Sequence, residues 1–483
     1  MVDIKDNDAL EETPAAAGET VAEVVEETLA THDEEHGGIS EAFLEAVQDA
    51  IERADSEALK RLTEDLHEAD LADLIEALRA PERARLVELL GSDFDFVALT
   101  ELDETLRVKL LEALPSEVVA AGVSELESDD AVYILEDLDA PEQAEILAQM
   151  PAADRITLQR SLDYPEESAG RRMTSEFISV PPFWSVGQTI DYMRESEDLP
   201  DEFYEIFVVD PGFRLLGTVS LNHLLRAKRP TRVSDIMDET RHVVHAAEDQ
   251  EEVARMFGHY NLVSAAVVDD SDRLVGIITI DDIVDVIQEE AEEDIRALSG
   301  VGDEEISDTV FEIARSRFTW LLVNLGTAIL ASTVIGLFDG TIEQMVALAV
   351  LMPIVASMGG NAGTQTLTVA VRALATRDIG SYNVMRVVMR ETFVGFVNGL
   401  LFAVIMGVIA AFWFQNSQLG GVIATAMVVN LVMAGLAGIL VPLTLDKFGI
   451  DPAIASAVFV TTVTDVVGFC AFLGLAAWWF GLM

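Results

Sequence analysis

The chain has 483 residues, and 85 aspartates and glutamates against 30 lysines and arginines give it a net charge of −55. This charge excludes nucleic acid as a natural partner, because phosphates would be repelled, and the single cysteine, Cys470, excludes a disulfide framework. Yet 50% of the residues are hydrophobic, so charge and apolar residues are segregated: residues 1–316 carry −54 and residues 317–483 carry −1. Acid excess with only 5 lysines predicts a halophilic source; an acidic sensing surface in an ordinary cell is the alternative.

The first part of the chain divides into an acidic tail and a helical domain. Residues 1–37 are acidic and poor in aromatics, with no signal peptide visible, which predicts a disordered tail. Over residues 38–163, apolar residues recur at helical spacing, and DLIEALRAPERARLVELLG resembles YILEDLDAPEQAEILAQMP 60 residues later. Proline in the first turn of successive short helices predicts an α-helical superhelix.

Residues 164–293 alternate strand-like and helical runs, and the unit occurs twice. RLLGTVSLNHLL from Arg214 matches RLVGIITIDDIV from Arg273. The repeat resembles a tandem pair of α/β CBS modules, over residues 164–233 and 234–293. That resemblance implies an adenine-nucleotide site such as one for ATP, held in the second copy by Gly276, Thr279 and Asp282. In the first copy His223 replaces the aspartate. The alternative is that Asp282 only caps the following helix.

Five uncharged apolar segments follow a predicted connecting (plug) helix over residues 294–316. They cover residues 318–338, 344–371, 392–414, 419–445 and 452–483, with Asp465 the one charge inside them. Each is long enough to cross the bilayer, so residues 317–483 are predicted to form a five-helix transmembrane domain. Arginines and Lys447 lie in the loops on one side only. The positive-inside rule therefore predicts cytosolic N-terminal domains and an outside C-terminus, in the plasma (inner) membrane.

Two intramembrane motifs carry polar chemistry. PIVASMGGNAGTQT, from Pro353, predicts a broken or narrowed helix whose carbonyls and Asn361 amide face an ion or its water shell; close helix packing through small residues is the alternative. In FVTTVTDVVGF, from Phe459, the carboxylate of Asp465 with nearby threonines predicts a hard cation, Mg²⁺ above all. A proton relay is the rival interpretation.

Two further acids lie at the ends of spans. Glu391 follows Arg390 and is predicted either as a pore-mouth acid or as an interfacial partner of that arginine. Asp451 precedes Pro452, which predicts a helix cap that also lies at the cytosolic mouth of a pore.

Taken together, the domain order and the motifs SAGRRMT, PIVASMGGNAGTQ and DPAIASAVFVTTVTD resemble the MgtE family of magnesium channels. The resemblance implies a homodimer in the lipid bilayer, with a pore formed by the second and fifth spans, Mg²⁺ bound at Asp465 and Asn361 lining the same path. It also implies cytosolic acidic faces that bind Mg²⁺ and hold the pore shut. Acids near the end of the second CBS module suit that role, namely Asp281, Asp282, Asp285, Glu289, Glu290, Glu292, Glu293 and Asp294.

Two other functions remain open from the sequence. One is a membrane-anchored sensor of nucleotide or Mg²⁺, and the other is a divalent cation transporter coupled to protons or Na⁺. An enzyme is not expected, because the chain has no P-loop, no cysteine nucleophile and no Ser–His–Asp set.

Overall fold

The structure is a computed structural model that describes residues 31–32, 38–196, 199–200, 203–239, 242–301, 310–380 and 382–481. The predicted disordered tail, apart from residues 31–32, and residues 302–309 of the predicted connecting helix lie outside this range. The helices are α1 Glu41–Arg53, α2 Ser56–Thr63, α3 Glu68–Ala77, α4 Ala80–Leu90, α5 Glu104–Ala113, α6 Ser116–Val123, α7 Ser128–Glu136, α8 Ala140–Gln149, α9 Ala152–Leu162, α10 Val186–Glu195, α11 Leu221–Arg226, α12 Gln250–Tyr260, α13 Ile280–Ser299, α14 Val310–Gly336, α15 Asp339–Gln344, α16 Ala347–Ala375, α17 Val384–Trp413, α18 Ser417–Lys447 and α19 Pro452–Phe480. The strands are β1 Ser179–Val180, β2 Glu205–Val209, β3 Leu215–Ser220, β4 Val243–His245, β5 Ser264–Val268 and β6 Leu274–Thr279.

Contacts divide the chain into two units, the first ending at Pro151 but leaving out Glu127–Glu136, which belongs to the second. The first unit is built from short capped helices, as the periodicity predicts. In α1 the Ser40 hydroxyl accepts from the Phe43 amide, and a stripe of apolar residues at helical spacing is buried. Prolines occupy the first turn of α4 and of α8, at matching places in the repeat. The helical N-terminal domain is confirmed.

One buried ion pair ties this first unit together. The Arg107 guanidinium lies 2.5 Å from the Asp137 carboxylate and donates to the carbonyl oxygens of Leu99, Thr100 and Leu102. Only 3% of the Arg107 side chain is exposed. Removing the guanidinium would take a donor from a carboxylate and from three carbonyls in a dry setting.

We expect Arg107→Ala to lower the free energy of unfolding by about 3 to 5 kcal/mol, because it removes the buried cation that neutralises the Asp137 carboxylate. The exposed Arg53–Asp49 pair is the control, and Arg53→Ala should cost at most about 0.5 kcal/mol. Thermal unfolding of the purified chain, followed by circular dichroism, measures both. Equal shifts in the two variants would contradict the role given to the buried pair.

The second unit contains two three-stranded sheets with the same topology. In each, the first strand is parallel to the second and the second is antiparallel to the third. Each also has a register shift at one place, between Val208 and Val209 and between Val267 and Val268. The sheets share a core of Phe207, Val209, Ala266, Leu274 and Ile277. The predicted tandem α/β repeat is thereby confirmed.

Five helices are long and apolar enough to span a membrane: α14, α16, α17, α18 and α19. Many of the apolar side chains of α14 and α17 are exposed in the single chain, as expected for residues that face lipid. Helix α18 is the most buried of the five and packs against α16, α17 and α19. The five-helix transmembrane domain is confirmed.

The predicted break in the second span is wrong, because α16 is helical without interruption from Ala347 to Ala375. Pro353 lies inside the helix and is exposed, and a transmembrane helix tolerates the one missing amide donor. The predicted narrowing of the helix is present, however, because neighbouring helices pack closely against its glycines. A Cβ on Gly359 would collide with the Asn430 side chain, and one on Gly363 would lie 2.6 Å from Val460. The small residues therefore serve close packing, which was the alternative interpretation.

Candidate functional site

The polar residues of the second span lie on one exposed face of α16. The exposed positions are three or four residues apart, which places them along one side of the helix: Ser357, Asn361, Thr364, Gln365 and Thr368. The Asn361 amide nitrogen lies 3.5 Å from the Ser357 hydroxyl. Polar side chains facing hydrocarbon are unfavourable, so this face requires water or protein beside it.

Asp465 lies midway along α19, where it is the fourteenth of 29 residues. Its side chain is partly exposed, and none of the described basic residues forms an ion pair with it. One turn earlier, the hydroxyls of Thr461 and Thr462 donate to carbonyls of their own helix. Their protons are thus directed at the backbone, and their lone pairs remain available to a cation or its water shell.

The two helices meet near these residues. A Cβ on Gly360 would lie 3.8 Å from the Thr461 methyl group, and Gly363 abuts Val460. Helix α16 therefore packs, at the residue before Asn361, against the part of α19 that precedes Asp465. The structure places the two predicted pore elements on adjacent helices.

A second acidic site forms where α19 begins. Asp451 caps this helix, with its carboxylate accepting from the Ala453 amide at 2.8 Å. Burial and then Asp451 raise the pKa of Asp294 on α13. Burial raises the pKa of Glu251 on α12, and Asp249, Asp294 and Asp451 add to the increase while Arg377 opposes it. Acids from three elements thus share one electrostatic environment.

Apolar contacts join α13 to the same membrane helices. Ala297 and Leu298, at the end of α13, pack against a core that includes Leu367 of α16 and Ala453 of α19. Arg377, in the loop after α16, forms an ion pair with Glu252 of α12. Helix α13 is therefore in contact with the two helices that carry Asn361 and Asp465.

Acids of α7 lie near the other end of α13. Burial, with Thr279 opposing and Asp281 and Asp130 contributing, raises the pKa of Asp282 to about 7. Burial and then Asp282 raise the pKa of Asp129, at the start of α7, well above its usual range. Asp282 thus lies near enough to Asp129 for like-charge repulsion, and a divalent cation beside them would relieve it.

An attractive network joins the same elements. Arg172 lies 3.1 Å from Glu136 of α7 and 3.2 Å from Glu289 of α13, and its guanidinium stacks 5.0 Å from the centre of the Tyr133 ring. Tyr133 also donates to Glu289 at 3.1 Å. Arg171 adds a second pair with Glu136. The Arg172 guanidinium therefore links α7 and α13 through Glu136 and Glu289. Elsewhere along the same two helices, Asp129 and Asp282 repel each other.

The predicted nucleotide residues have structural roles here. The Asp282 carboxylate accepts from the Thr279 hydroxyl at 2.7 Å and caps α13. A Cβ on Gly276 would lie 2.6 Å from the Met173 sulfur, so this glycine admits a neighbouring segment. These contacts correspond to the capping alternative for Asp282.

Two clefts border the CBS copies, one lined by residues of both copies and one lined mainly by the first. One, of about 540 Å³, is lined by Glu205, Thr218, Asp238, Glu239, His242 and Ser264, among others. A second, of about 560 Å³, is lined by residues that include His223, Arg226 and Lys228. The first is acidic and the second is basic. Burial raises the pKa of Glu205 in the acidic cleft.

The remaining predicted site residues are placed as follows. Glu391 is partly buried and lies 3.0 Å from the Arg390 guanidinium. Asp281 and Asp285 are exposed on α13. Within the described part of the chain, no three histidine, cysteine, aspartate or glutamate side chains converge closely enough to hold a metal ion. The acids instead meet in pairs and looser groups.

Sequence reasoning missed Asp129 and Glu251. Asp129 lies in the first turn of α7, in the run SDD, where acids are common for helix-dipole reasons alone. Glu251 has the same position in α12. Only the tertiary structure distinguishes these acids from ordinary first-turn residues, because it places other carboxyls beside them.

The chain is thus a membrane protein with five spans, a polar face inside the membrane domain and a large acidic soluble part. Its residues 352–475 match the family model of the MgtE divalent cation transporter domain, residues 66–167 match the MgtE intracellular N domain, and residues 169–229 and 233–289 match the CBS domain. Magnesium transporter MgtE of Enterococcus faecalis is 35% identical over 311 residues, which is 64% of this chain and 69% of the relative. The Thermus thermophilus protein of that name is 35% identical over 316 residues, with the same shares.

Among solved structures, the cytosolic domain of the Mg²⁺ channel MgtE in complex with ATP is 31% identical, with a TM-score of 0.47, and the match covers 50% of this chain and 99% of that one. The family models and the curated relatives agree along the chain. It belongs to the MgtE family of divalent cation transporters.

Proposed function

We propose that this chain forms a Mg²⁺-selective channel that admits Mg²⁺ into the cell and closes when Mg²⁺ binds its acidic cytosolic domains. The observation that carries the proposal is the exposed polar face of α16, a helix that packs against α19 with its mid-span Asp465. A carboxylate in the middle of a membrane helix is costly and implies a polar path. Its neighbours supply hydroxyl and amide oxygens, which are the donors that hard cations prefer.

Mg²⁺ suits this site because it gives up its water reluctantly. A hydrated ion requires acceptors for its water protons, and the Asp465 carboxylate and the Asn361 amide oxygen supply them. In this proposal Asp465 attracts and selects the ion, and Asn361 lines the same path. The relatives from E. faecalis and T. thermophilus are named as magnesium transporters, which favours the same ion here.

We also propose a homodimer in the bilayer, which the same polar face supports. In the single chain this face of α16 is exposed, and lipid would be a poor neighbour for it. A second copy related by a two-fold axis would enclose the face and place two Asp465 carboxylates around one pathway. The pair would bind a divalent ion more strongly than either carboxylate alone.

For gating, we propose that α13 couples the acidic soluble domains to the pore helices. Mg²⁺ between Asp129 and Asp282 would favour the arrangement in which α7 and α13 are close. The acids around Asp294 and Asp451 would bind further Mg²⁺ at the other end of α13, beside the pore helices, with Asp281, Asp285 and Glu391 as further candidates. Without Mg²⁺ these groups repel, α13 moves, and the pore opens.

The proposed arrangement keeps the domain limits expected from the sequence: a tail over 1–37, a helical domain over 38–163, CBS modules over 164–233 and 234–293, a connecting helix over 294–316 and the pore domain over 317–483. The arginine-rich loops put the soluble domains in the cytosol and the C-terminus outside the plasma membrane. Nucleotide such as ATP is proposed as a modulator, since the family includes an ATP-bound cytosolic domain. The basic side chains His223, Arg226 and Lys228 line a cleft that suits the phosphates of such a nucleotide. Asp282 suits a nucleotide less well, because its carboxylate is already engaged in capping α13.

The test is Mg²⁺ flux into liposomes that contain the purified chain, with Mg²⁺ varied on the cytosolic face. We expect flux to fall by about tenfold or more as cytosolic Mg²⁺ rises, beyond the loss of gradient, since a shift of 1.4 kcal/mol changes the open population tenfold. No flux from folded protein at any Mg²⁺ or ATP concentration would favour the membrane-anchored sensor. Flux abolished by an uncoupler, with the Mg²⁺ gradient intact, would favour the ion-coupled transporter.

A further inference from the structure

Asn430 is a buried polar residue of the fourth span that the sequence motifs do not explain. It lies on α18 and has no exposed surface. Its amide nitrogen donates to the carbonyl oxygen of Val355, on α16, at 2.7 Å. Its amide oxygen accepts no hydrogen bond from any described residue. A buried amide oxygen without a donor destabilises the fold, so its presence requires an explanation.

The Asn430 side chain fits between glycines of two other helices. A Cβ on Gly359 of α16 would collide with the amide, and a Cβ on Gly468 of α19 would lie 2.8 Å from its nitrogen. Gly359 is two residues before Asn361, and Gly468 is three residues after Asp465. Asn430 therefore contacts both helices of the proposed pathway at the level of their functional residues.

The hydrogen bond is made to a weakened part of α16. In an α-helix the Val355 carbonyl accepts from residue 359, and here it also accepts from Asn430 through its second lone pair. Two residues before Val355, Pro353 has no amide hydrogen, so one bond of the helix is missing. Gly359 and Gly360 lie about one turn after Val355. This segment can bend more readily than its neighbours, and Asn430 is what holds it in place.

We propose that Asn430 is a positioning residue of the transport path, whose amide fixes α16 against α18 and α19 and so sets the spacing of Asn361 and Asp465 on which discrimination between divalent cations depends. The inference rests on the proposed conduction of Mg²⁺. A hydrated ion is recognised by where its water shell meets fixed acceptors, so a small movement of one helix changes which ion fits. Asn430 itself touches no ion.

The test compares Mg²⁺ and Ca²⁺ flux in liposomes for the unmodified chain and Asn430→Leu. Leucine keeps the branching at Cγ with larger end groups, removes the hydrogen bond and also removes the unpartnered oxygen. We expect the Mg²⁺ to Ca²⁺ flux ratio to fall about five- to tenfold. A merely structural residue would lower both fluxes in proportion and leave their ratio unchanged.

Two further variants separate the hydrogen bond from packing. Met427→Leu, a conservative change at a buried position of the same helix, should leave the ratio unchanged. Asn430→Ala combined with Gly359→Ala refills the space without restoring the bond, and we expect it to keep the altered ratio. A normal flux ratio in that double variant, or in Asn430→Leu, would overturn the positioning role of Asn430 but leave the proposed conduction of Mg²⁺ standing. Absence of Mg²⁺ flux in the unmodified chain would overturn the proposed conduction and this inference together.

Discussion

Mg²⁺ flux should fall by roughly 100-fold or more when Asp465 is replaced by asparagine. The amide keeps the size of the side chain but removes the charge, and the other described acids of the membrane helices lie nearer their ends. A carboxylate near a divalent cation contributes on the order of 3 kcal/mol or more at an effective dielectric constant of 20, and a barrier higher by that amount slows passage by about two orders of magnitude. The measurement is initial Mg²⁺ uptake by liposomes at equal protein content.

The control for this variant is Asp446→Asn, which removes one carboxylate from an exposed position at the end of α18. It should keep flux within about twofold of the unmodified chain, because solvent and salt screen an exposed charge at the end of a membrane helix. Size-exclusion chromatography shows whether both variants keep the same assembly. Normal flux in Asp465→Asn would reject the assignment of the pathway, whereas equal losses in both variants would point to surface charge instead.

Asp129→Asn should remove about half of the pH and Mg²⁺ dependence of stability, because burial and then Asp282 raise the pKa of Asp129 itself well above its usual range. In the folded chain, burial and neighbouring acids raise the pKa of Asp282 to about 7, whereas an unfolded aspartate has a pKa of about 3.9. Between these values the folded state binds more protons than the unfolded state, so this group makes stability fall as pH rises. At low pH the pair is protonated and the penalty is absent; at pH 8 it is present in full, unless Mg²⁺ neutralises it.

The measurement is the thermal midpoint of the purified chain at pH 5 and pH 8, with and without Mg²⁺. For the unmodified chain we expect a midpoint at pH 8 that is lower by about 4 °C or more and is restored by Mg²⁺, since 1 kcal/mol moves the midpoint of a domain of 150 to 250 residues by about 2 to 4 °C. Asp129→Asn should reduce both responses by about half. Glu45→Gln, at an exposed position of α1, removes the same charge and should leave both unchanged. Equal responses in all three proteins would contradict the pairing of Asp129 with Asp282.

Long-range sequence patterns predicted the architecture well. The five spans were visible because a helix in lipid requires about 20 apolar residues in a row, a signal independent of the rest of the fold. The two CBS copies were visible because each repeats the same alternation, from Arg214 and from Arg273, and the matching register shifts confirm that they fold alike. Asp451 was also predicted correctly as a cap, since proline next to it is a local signal.

Local patterns were less informative about the inside of the membrane domain. Pro353 and the glycines predicted a broken helix, yet α16 is continuous, since packing against α18 and α19 compensates for the weak positions. The glycines are needed for a neighbouring asparagine and a valine, which lie 71 and 97 residues further along the chain from Gly359 and Gly363. A motif of small residues looks the same whether it borders an ion path or another helix.

By itself, the sequence determined the order of the domains, the segregation of charge from apolar residues and the position of the one acid in the middle of a span. These features follow from composition and from the periodicity of apolar residues. Both can be read from neighbouring residues without knowing any tertiary contact. Only the tertiary structure decided which acids lie near each other, such as Asp129 and Asp282, and which helices Asn430 joins. The physical reason is that repulsion, desolvation and close packing depend on distances of a few ångströms between residues far apart in the chain.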